Sequence, residues 1–225
     1  MWTMVDRVAK DALFDSLADV AKALASGRRA EIVDLLSQGE RSVDEVATEI
    51  GQSSANTSQH LRILLRSGLL ATRREGTRVY YALANDRVGE LWTVLRDVAA
   101  VHVAGFDDLA RAYLGDREGV EVVSRTELAR RLRQGDVVLL DVRPAAEFNA
   151  AHIAGARAVP LSELRRHLRS IPAEAEVVAY CRGPYCVYAD EAVRLLRRRG
   201  FVARRLEDGF PEWRRAKLPV ARGAD

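Results

Sequence analysis

The chain has 225 residues, of which 48% are hydrophobic and 30% are charged, and its formal net charge is +3. This length suits two domains of about 100 residues each better than a single core. Four aspartates interrupt residues 1–20, and no apolar run approaches the roughly 18 residues of a membrane span, so we predict a cytoplasmic protein without a signal peptide or membrane helix.

The first half of the chain is predicted to start with short helices. Apolar residues at helical spacing indicate one helix ending near Leu24 and a second one capped by Ser26. Ser42-Val43-Asp44-Glu45 has the capping-box pattern, which opens a short helix that ends at the tight turn of Gly51. A longer helix with leucines on one face follows Ser53.

A hairpin and a last helix are predicted next. Two strands, residues 69–73 and 78–83, flank the turn Arg74-Glu75-Gly76-Thr77. A final helix should run from about Asp86 to Tyr113, with Val88, Leu91, Leu95, Val98 and His102 on one stripe.

Two helices around a tight turn, followed by a basic hairpin, are typical of a winged helix-turn-helix, in which the second helix enters the major groove. Residues 1–115 carry a net charge of −2, but residues 62–78 hold five arginines against one glutamate. The side chains predicted to face DNA are Ser54, Asn56, Thr57, Ser58, Gln59 and Arg62 on the helix, and Arg73, Arg74 and Arg78 in the wing. The alternative is a merely solvated helix face beside an arginine-containing hairpin.

The second half alternates strands and helices, which predicts an α/β domain with a mostly parallel sheet. The predicted strands are residues 137–141, 177–180 and 201–205, and the predicted helices are residues 125–134, 161–169 and 187–199. Ser124-Arg125-Thr126-Glu127 is a second capping-box pattern. Two glycines around charged residues at 115–119 place the domain boundary there, giving domains at 1–115 and 120–225.

The only two cysteines, Cys181 and Cys186, lie in one loop between a strand and a helix. A disulfide framework or a structural zinc site would need more, so we predict no bound metal and no cofactor. The loop Arg182-Gly183-Pro184-Tyr185 can curl so that backbone N–H groups point at the sulfur. These groups, the helix start and the Arg182 charge should lower the pKa of Cys181 and favour a nucleophilic thiolate. The alternative is an inert, packed cysteine.

Residues 30–83, including SQHLRILLRSGLLATRREGTRVYYAL, resemble the ArsR family of bacterial winged-helix repressors. The resemblance covers roughly residues 13–103 and implies a homodimer, packed through the first and last helices, on a roughly palindromic operator. Many members sense metals through cysteines before the recognition helix or ligands on the last helix. Residues 42–51 contain no cysteine. The last helix offers a lone His102 beside Asp86, Glu90 and Asp97, so we do not expect metal sensing.

Residues 141–143, 148–156 and 206–213 resemble rhodanese signatures, and the likeness spans about residues 122–220. It implies a sulfurtransferase fold in which Cys181 carries a persulfide, while Asp141, Arg143 and His152 hold the fold together. Rhodaneses often have an arginine where this chain has Cys186. That thiol either resolves a Cys181 persulfide as a disulfide or is a small buried residue, and both readings stay open.

Together the two halves predict a DNA-binding transcriptional regulator, a repressor whose rhodanese-like domain senses or carries reactive sulfur on Cys181. Its expected partners are double-stranded operator DNA, a second copy of the chain and a small sulfur donor or acceptor. One alternative is a weak sulfurtransferase, using thiosulfate or a persulfide donor, whose DNA-binding domain localises it or regulates its own expression. Another is an inert rhodanese fold that serves as an interaction module.

Overall fold

The computed structural model describes residues 4–115, 117 and 119–223. The chain forms two compact units, Met1–Val98 and Ala99–Asp225. The predicted boundary at 115–119 includes Asp116 and Glu118, which lie outside the described residues, so the domain limits 1–115 and 120–225 stay predictions. No helix of the described ranges is long and apolar enough to span a lipid bilayer.

The first unit is a winged helix-turn-helix. Its elements are α1 (Met4–Leu24), α2 (Gly27–Leu36), β1 (Arg41–Ser42), α3 (Val43–Glu49), α4 (Ser54–Arg66), β2 (Leu70–Glu75), β3 (Arg78–Leu83) and α5 (Asp86–His102), of which residues up to Val98 belong to this unit. The three strands form an antiparallel sheet in the order β1-β3-β2. Buried residues of α2, α3 and α4, among them Ile32, Val46, Leu61 and Leu64, form its core.

Local capping starts these helices where the sequence indicates. Ser42 accepts a hydrogen bond from the Glu45 amide while the Glu45 carboxylate accepts one from the Ser42 amide, so the predicted capping box is formed. Ser26 stands at the start of α2, but its side chain makes no capping hydrogen bond. The hairpin turn is tighter than predicted, because β2 continues to Glu75, which pairs with Arg78 around Gly76-Thr77.

The predicted continuous last helix is wrong. Gly105, with φ +75°, takes a left-handed conformation that glycine adopts easily, and the helix breaks there. The C-terminal piece is a separate helix, α6 (Phe106–Leu114), which lies in the second unit. On α5 the predicted stripe does not form a core face, since Val88 is buried but Leu91, Leu95 and Val98 are exposed.

The second unit is an α/β domain. After α6 come β4 (Val122–Val123), α7 (Arg125–Gln134), β5 (Val137–Asp141), α8 (Ala145–Ala150), β6 (His152–Ile153), β7 (Arg157–Ala158), α9 (Leu164–His167), β8 (Glu176–Tyr180), α10 (Val187–Arg197), β9 (Ala203–Leu206), α11 (Phe210–Arg215) and β10 (Val220–Ala221). Five strands form an all-parallel sheet in the order β4-β9-β8-β5-β7. Strands β6 and β10 form a separate antiparallel pair.

This sheet is buried on both faces. Successive strand side chains point to opposite faces, so Val177 and Ala179 join one core, while Val178 and Tyr180 join the other. The predicted alternation and parallel sheet are therefore confirmed. Some details differ: the helix predicted at 161–169 shortens to α9 followed by a 3₁₀ turn, the strand predicted at 201–205 is β9 at 203–206, and the helix predicted at 187–199 ends at 197. Only the Ser124 half of the second capping box forms. The Glu127 carboxylate instead binds Arg130 and Arg131.

Candidate DNA-binding surface and sulfur site

Helix α4 is held against α3 by a short polar network at its N-terminus. Ser53 caps the helix by accepting from the Asn56 amide, and the Ser54 hydroxyl donates to Asp44 Oδ1 at 2.7 Å. The Asn56 side-chain amide donates to Gln52 Oε1 at 2.7 Å. These contacts fix the start of the helix that is predicted to enter the groove, and they engage Ser54 and Asn56 in the DNA-free protein.

The predicted DNA-facing residues of α4 do not all lie on one exposed face. Ser54, Asn56, Gln59 and Arg62 are exposed and Ser58 is half-buried. Thr57 is fully buried, so the prediction that it faces DNA is wrong. It precedes Leu61 by four positions and Leu64 by seven, which places all three on the packed face of the helix.

The wing arginines differ from one another in their partners. Arg73 pairs with Glu40 at 2.5 Å and with Glu75 at 2.7 Å, and its guanidinium lies over the Tyr80 ring. The Arg73 hydrogen bond lowers the pKa of Glu40. All three arginines are exposed on the hairpin, but Arg73 is also held by carboxylates of its own unit.

Cys181 follows strand β8 directly, at the start of the loop that leads into α10. Its side chain is only 2% exposed, and its carbonyl accepts a hydrogen bond from the Phe210 amide at 3.2 Å. The Cys181 thiol lies 3.6 Å from the Cys186 carbonyl oxygen, to which it donates. Cys186 is partly buried, and both cysteines are free thiols.

The predicted low pKa of Cys181 is wrong for this closed loop. Burial raises the pKa of the Cys181 thiol well above its usual range, although the Gly183 and Ala189 amides act in the opposite direction. The hydrogen bond from the Cys181 thiol lowers the pKa of Cys186. Arg182 does not supply a charge for the Cys181 sulfur, because its guanidinium pairs with the fully buried Glu147 at 2.6 Å.

A buried polar network supports the loop from the sheet. Arg143 and Asp141, both fully buried, form an ion pair at 2.6 Å, and the Tyr180 hydroxyl donates to the same Asp141 carboxylate at 2.6 Å. Tyr180 immediately precedes Cys181, and its hydroxyl also accepts from the Ile153 amide. His152 contacts the Phe148 carbonyl through Nδ1 at 2.9 Å. Asp141, Arg143 and His152 are thus fully buried and engaged in contacts within the domain, as residues that hold the fold together would be.

Gly209 lies against the backbone of the cysteine loop. A Cβ at this position would lie 2.4 Å from the Gly183 nitrogen and 2.5 Å from the Arg182 carbonyl carbon. Both are backbone atoms, which cannot turn aside as a flexible side chain would. The absence of a side chain at Gly209 is therefore required for the observed course of the cysteine loop.

Sequence reasoning missed Glu147 and Tyr180 as parts of the site. Glu147 lies in a short helix with no periodic signal, and its partner Arg182 is 35 positions away. Tyr180 reads as an ordinary apolar strand residue, although a hydroxyl at a buried strand end needs a partner and could have been a signal. In the described part of the chain, no three His, Cys, Asp or Glu side chains are placed to hold a metal ion.

A winged helix-turn-helix followed by a parallel α/β unit with a cysteine at a strand end defines a DNA-binding protein with a rhodanese-like domain. Residues 26–72 match the bacterial regulatory protein, arsR family, and residues 124–216 match the rhodanese-like domain. The chain belongs to the ArsR family of transcriptional regulators and carries a C-terminal rhodanese-like domain.

Similar proteins include whole-length and partial relatives. The HTH-type transcriptional regulator Rv0324 of Mycobacterium tuberculosis is 46% identical over 215 residues, which cover 96% of this chain and 94% of that protein. The CadC homolog of Staphylococcus aureus, a cadmium resistance regulatory protein, is 41% identical over 39% of this chain and 75% of its own length. A homodimeric winged-helix DNA-binding domain from Mycobacterium bovis is 46% identical, with a TM-score of 0.42, over 46% of this chain and 94% of that domain.

Proposed function

We propose that this chain is a homodimeric, cytoplasmic repressor that binds operator DNA through α4 and the wing. We further propose that it responds to sulfane sulfur carried as a persulfide on Cys181. The observation that carries the sulfur proposal is the pair of free thiols, Cys181 and Cys186, in one loop of a rhodanese-like domain, where the Cys181 thiol donates to the Cys186 carbonyl at 3.6 Å. The same chain holds a transcriptional regulator's DNA-binding unit.

Exposed apolar side chains on α1 and α5 support the homodimer. Leu13, Phe14 and Leu17 of α1 and Val94 and Val98 of α5 are each at least half exposed. A soluble monomer rarely leaves so many large apolar groups in contact with water on two helices. A second copy of the chain would cover both faces, as the family membership implies.

Replacing Gln59 or Arg62 by alanine should weaken operator binding by about 1–3 kcal/mol and relax the sequence preference, because both side chains are exposed on the polar face of α4. Replacing the wing residue Arg78 should weaken binding evenly across sequences and reduce the salt slope by about 0.9, the value for one phosphate contact. Fluorescence anisotropy at several salt concentrations, on sites mapped in genomic DNA, measures both effects.

Arg199→Ala is the matched control for charge, since it removes one exposed cation from the second unit. It should leave both the salt slope and the sequence preference unchanged. Wild-type binding by all three surface variants, Gln59→Ala, Arg62→Ala and Arg78→Ala, would rule out this orientation of α4 and the wing on DNA.

The proposed sulfur chemistry has two balanced steps. In the first, the Cys181 thiolate attacks a terminal sulfur of an inorganic polysulfide, forming a Cys181 persulfide and releasing a polysulfide one sulfur shorter. In the second, the Cys186 thiolate attacks Cys181 Sγ and displaces hydrosulfide. The two thiols are thereby oxidised to a disulfide and the sulfane sulfur is reduced.

Polysulfide treatment followed by peptide mass spectrometry should find a persulfide on Cys181 in Cys186→Ser and a Cys181–Cys186 cross-link in wild type. Cys181→Ser should show neither product and should lose any sulfur-dependent change in DNA affinity. Persulfide on Cys181 in both wild type and Cys186→Ser, without a cross-link, would reduce Cys186 to a packing residue. No sulfur on Cys181 with any donor would contradict the proposed function.

The Arg182–Glu147 pair favours a sensor over a sulfurtransferase with high turnover. A transferase acting on an anionic donor needs a cationic side chain in the loop, and the one the loop contains is neutralised by a buried carboxylate. Slow thiosulfate turnover alongside rapid persulfide formation is the pattern that a sensor would show.

A further inference from the structure

The cysteine loop contacts a segment that precedes the rhodanese-like match. The Arg117 guanidinium donates through Nη1 to the Pro184 carbonyl at 2.7 Å, and the Phe106 ring meets the Tyr185 ring edge-on with centroids 5.7 Å apart. Pro184 and Tyr185 are the middle of the loop between the two cysteines. Phe106 and Arg117 lie outside both matched stretches, residues 26–72 and 124–216.

Arg117 also belongs to a buried charge cluster beside the loop. Its Nε donates to Asp190 Oδ2 at 2.7 Å, and Arg205 of β9 lies 3.2 Å from Asp190 Oδ1. The Asp190 side chain is 1% exposed and stands in the first turn of α10. Two guanidinium groups on one carboxylate leave an excess of one positive charge in this cluster.

The cluster lies close to the sulfur. Asp190 follows Ala189, which packs in the same buried core as Cys181, and a negative charge on Cys181 acts to raise the pKa of Arg205. An anion formed on Cys181 would be buried, and a buried anion is strongly destabilised unless a positive charge or hydrogen-bond donors face it. Because Arg182 is paired with Glu147, the loop itself does not provide that charge.

We infer that Arg117 is a positioning residue of the sulfur site. It holds the loop at Pro184 and, with Arg205, gives the Asp190 cluster beside the loop a positive charge that stabilises an anionic persulfide on Cys181. This inference rests on the proposed function, since it names the group that lets the buried Cys181 carry sulfur as an anion. It extends the site beyond the rhodanese-like domain into the segment that follows α6.

The substitutions separate charge from packing. Arg117→Ala leaves Asp190 paired with Arg205 alone, so the cluster becomes neutral and Pro184 loses its donor. Arg117→Lys keeps the charge and can still donate one hydrogen bond. Arg111→Ala is the matched control, because Arg111 is an exposed α6 arginine that pairs with the exposed Asp108.

The experiment measures two rates at Cys181 in the full-length chain by mass spectrometry: persulfide formation with inorganic polysulfide, and alkylation by neutral iodoacetamide. To prevent cross-linking, all variants carry Cys186→Ser. We expect Arg117→Ala to slow persulfide formation roughly tenfold, the factor typical of one lost charge-assisted hydrogen bond. Arg117→Lys should keep most of the parent's rate of persulfide formation. Arg111→Ala should form the persulfide at the parent rate. Alkylation by neutral iodoacetamide also needs the Cys181 thiolate, so it should slow in Arg117→Ala as well, whereas a loop that was only loosened would expose the sulfur and be alkylated faster.

Three outcomes would overturn the inference. Persulfide formation in Arg117→Ala at the parent rate would show that the cluster does not act on the sulfur. Equal losses in Arg117→Ala and Arg117→Lys would show that Arg117 only packs. An absence of persulfide in the Cys186→Ser parent would contradict the proposed function itself and remove the basis of the inference, and this result is distinguishable because it appears before any Arg117 substitution.

Discussion

Asp141→Asn should lower the free energy of unfolding of the second unit by about 3–5 kcal/mol, the usual cost of removing one partner of a buried ion pair. The Asp141 carboxylate accepts from Arg143 and from the Tyr180 hydroxyl, and all three groups are fully buried. Asparagine has nearly the same shape but no negative charge. Its side-chain amide would also point hydrogen-bond donors at other donors, so the Arg143 charge would remain buried and uncompensated.

Hydrogen exchange in increasing urea, resolved by peptide mass spectrometry, measures this loss for each unit separately. Peptides covering β5 and β8 should lose protection at lower urea, while peptides of α4 should not change. Asp136→Asn is the matched control, because Asp136 is exposed just before the same strand. An exposed substitution of this kind usually changes stability by less than about 0.5 kcal/mol. A loss under about 1 kcal/mol in Asp141→Asn would mean that the ion pair is not needed by the fold.

Gly209→Ala should displace the cysteine loop and cost about 3 kcal/mol, the upper end of the range for overpacked sites. The added Cβ would meet the backbone of Arg182 and Gly183 at 2.4–2.5 Å. Gly209 has a φ of −126°, which alanine adopts without strain, so the effect would come from this contact alone. Because the loop must move, the Cys181 sulfur should become more accessible and react faster with iodoacetamide.

Gly135→Ala is the control for Gly209→Ala, because it introduces backbone strain without a new close contact. Gly135 ends α7 with φ +74° and has open space around its Cβ position. Its replacement should cost about 1 kcal/mol through strain and leave Cys181 alkylation unchanged. Equal alkylation rates at Cys181 in Gly209→Ala and wild type would contradict the role of Gly209 in holding the loop.

The winged helix and the parallel sheet could be predicted because their signals are local. The Ser42 capping box, the cap at Ser53 and the alternation of strands and helices each act over a few residues. The burial of Thr57 could also have been predicted, since its spacing to Leu61 and Leu64 places it on the same face of the helix as these two leucines. The break at Gly105 was not, because a glycine inside a helical pattern is often tolerated.

The electrostatics of the sulfur site could not be predicted, since they depend on contacts between distant parts of the chain. Arg182 was predicted to act on Cys181, but the choice between the sulfur and Glu147 is made by the fold. The depth of Cys181 follows from the packing of α10 and β9 around it, which the loop sequence does not contain. Gly209 and Arg117 approach the loop from later and earlier segments for the same reason.

The burial of Cys181 limits how fast its thiol can react. Cys181 is only 2% exposed, so the proposed reaction with polysulfide requires the loop to open first, as exchange of a buried amide requires local unfolding. Once a donor captures every opening, raising its concentration no longer speeds the reaction, and the opening rate alone sets the pace. In the proposed response, exposures shorter than the opening time of the loop would therefore modify few Cys181 thiols, whatever the concentration of the donor.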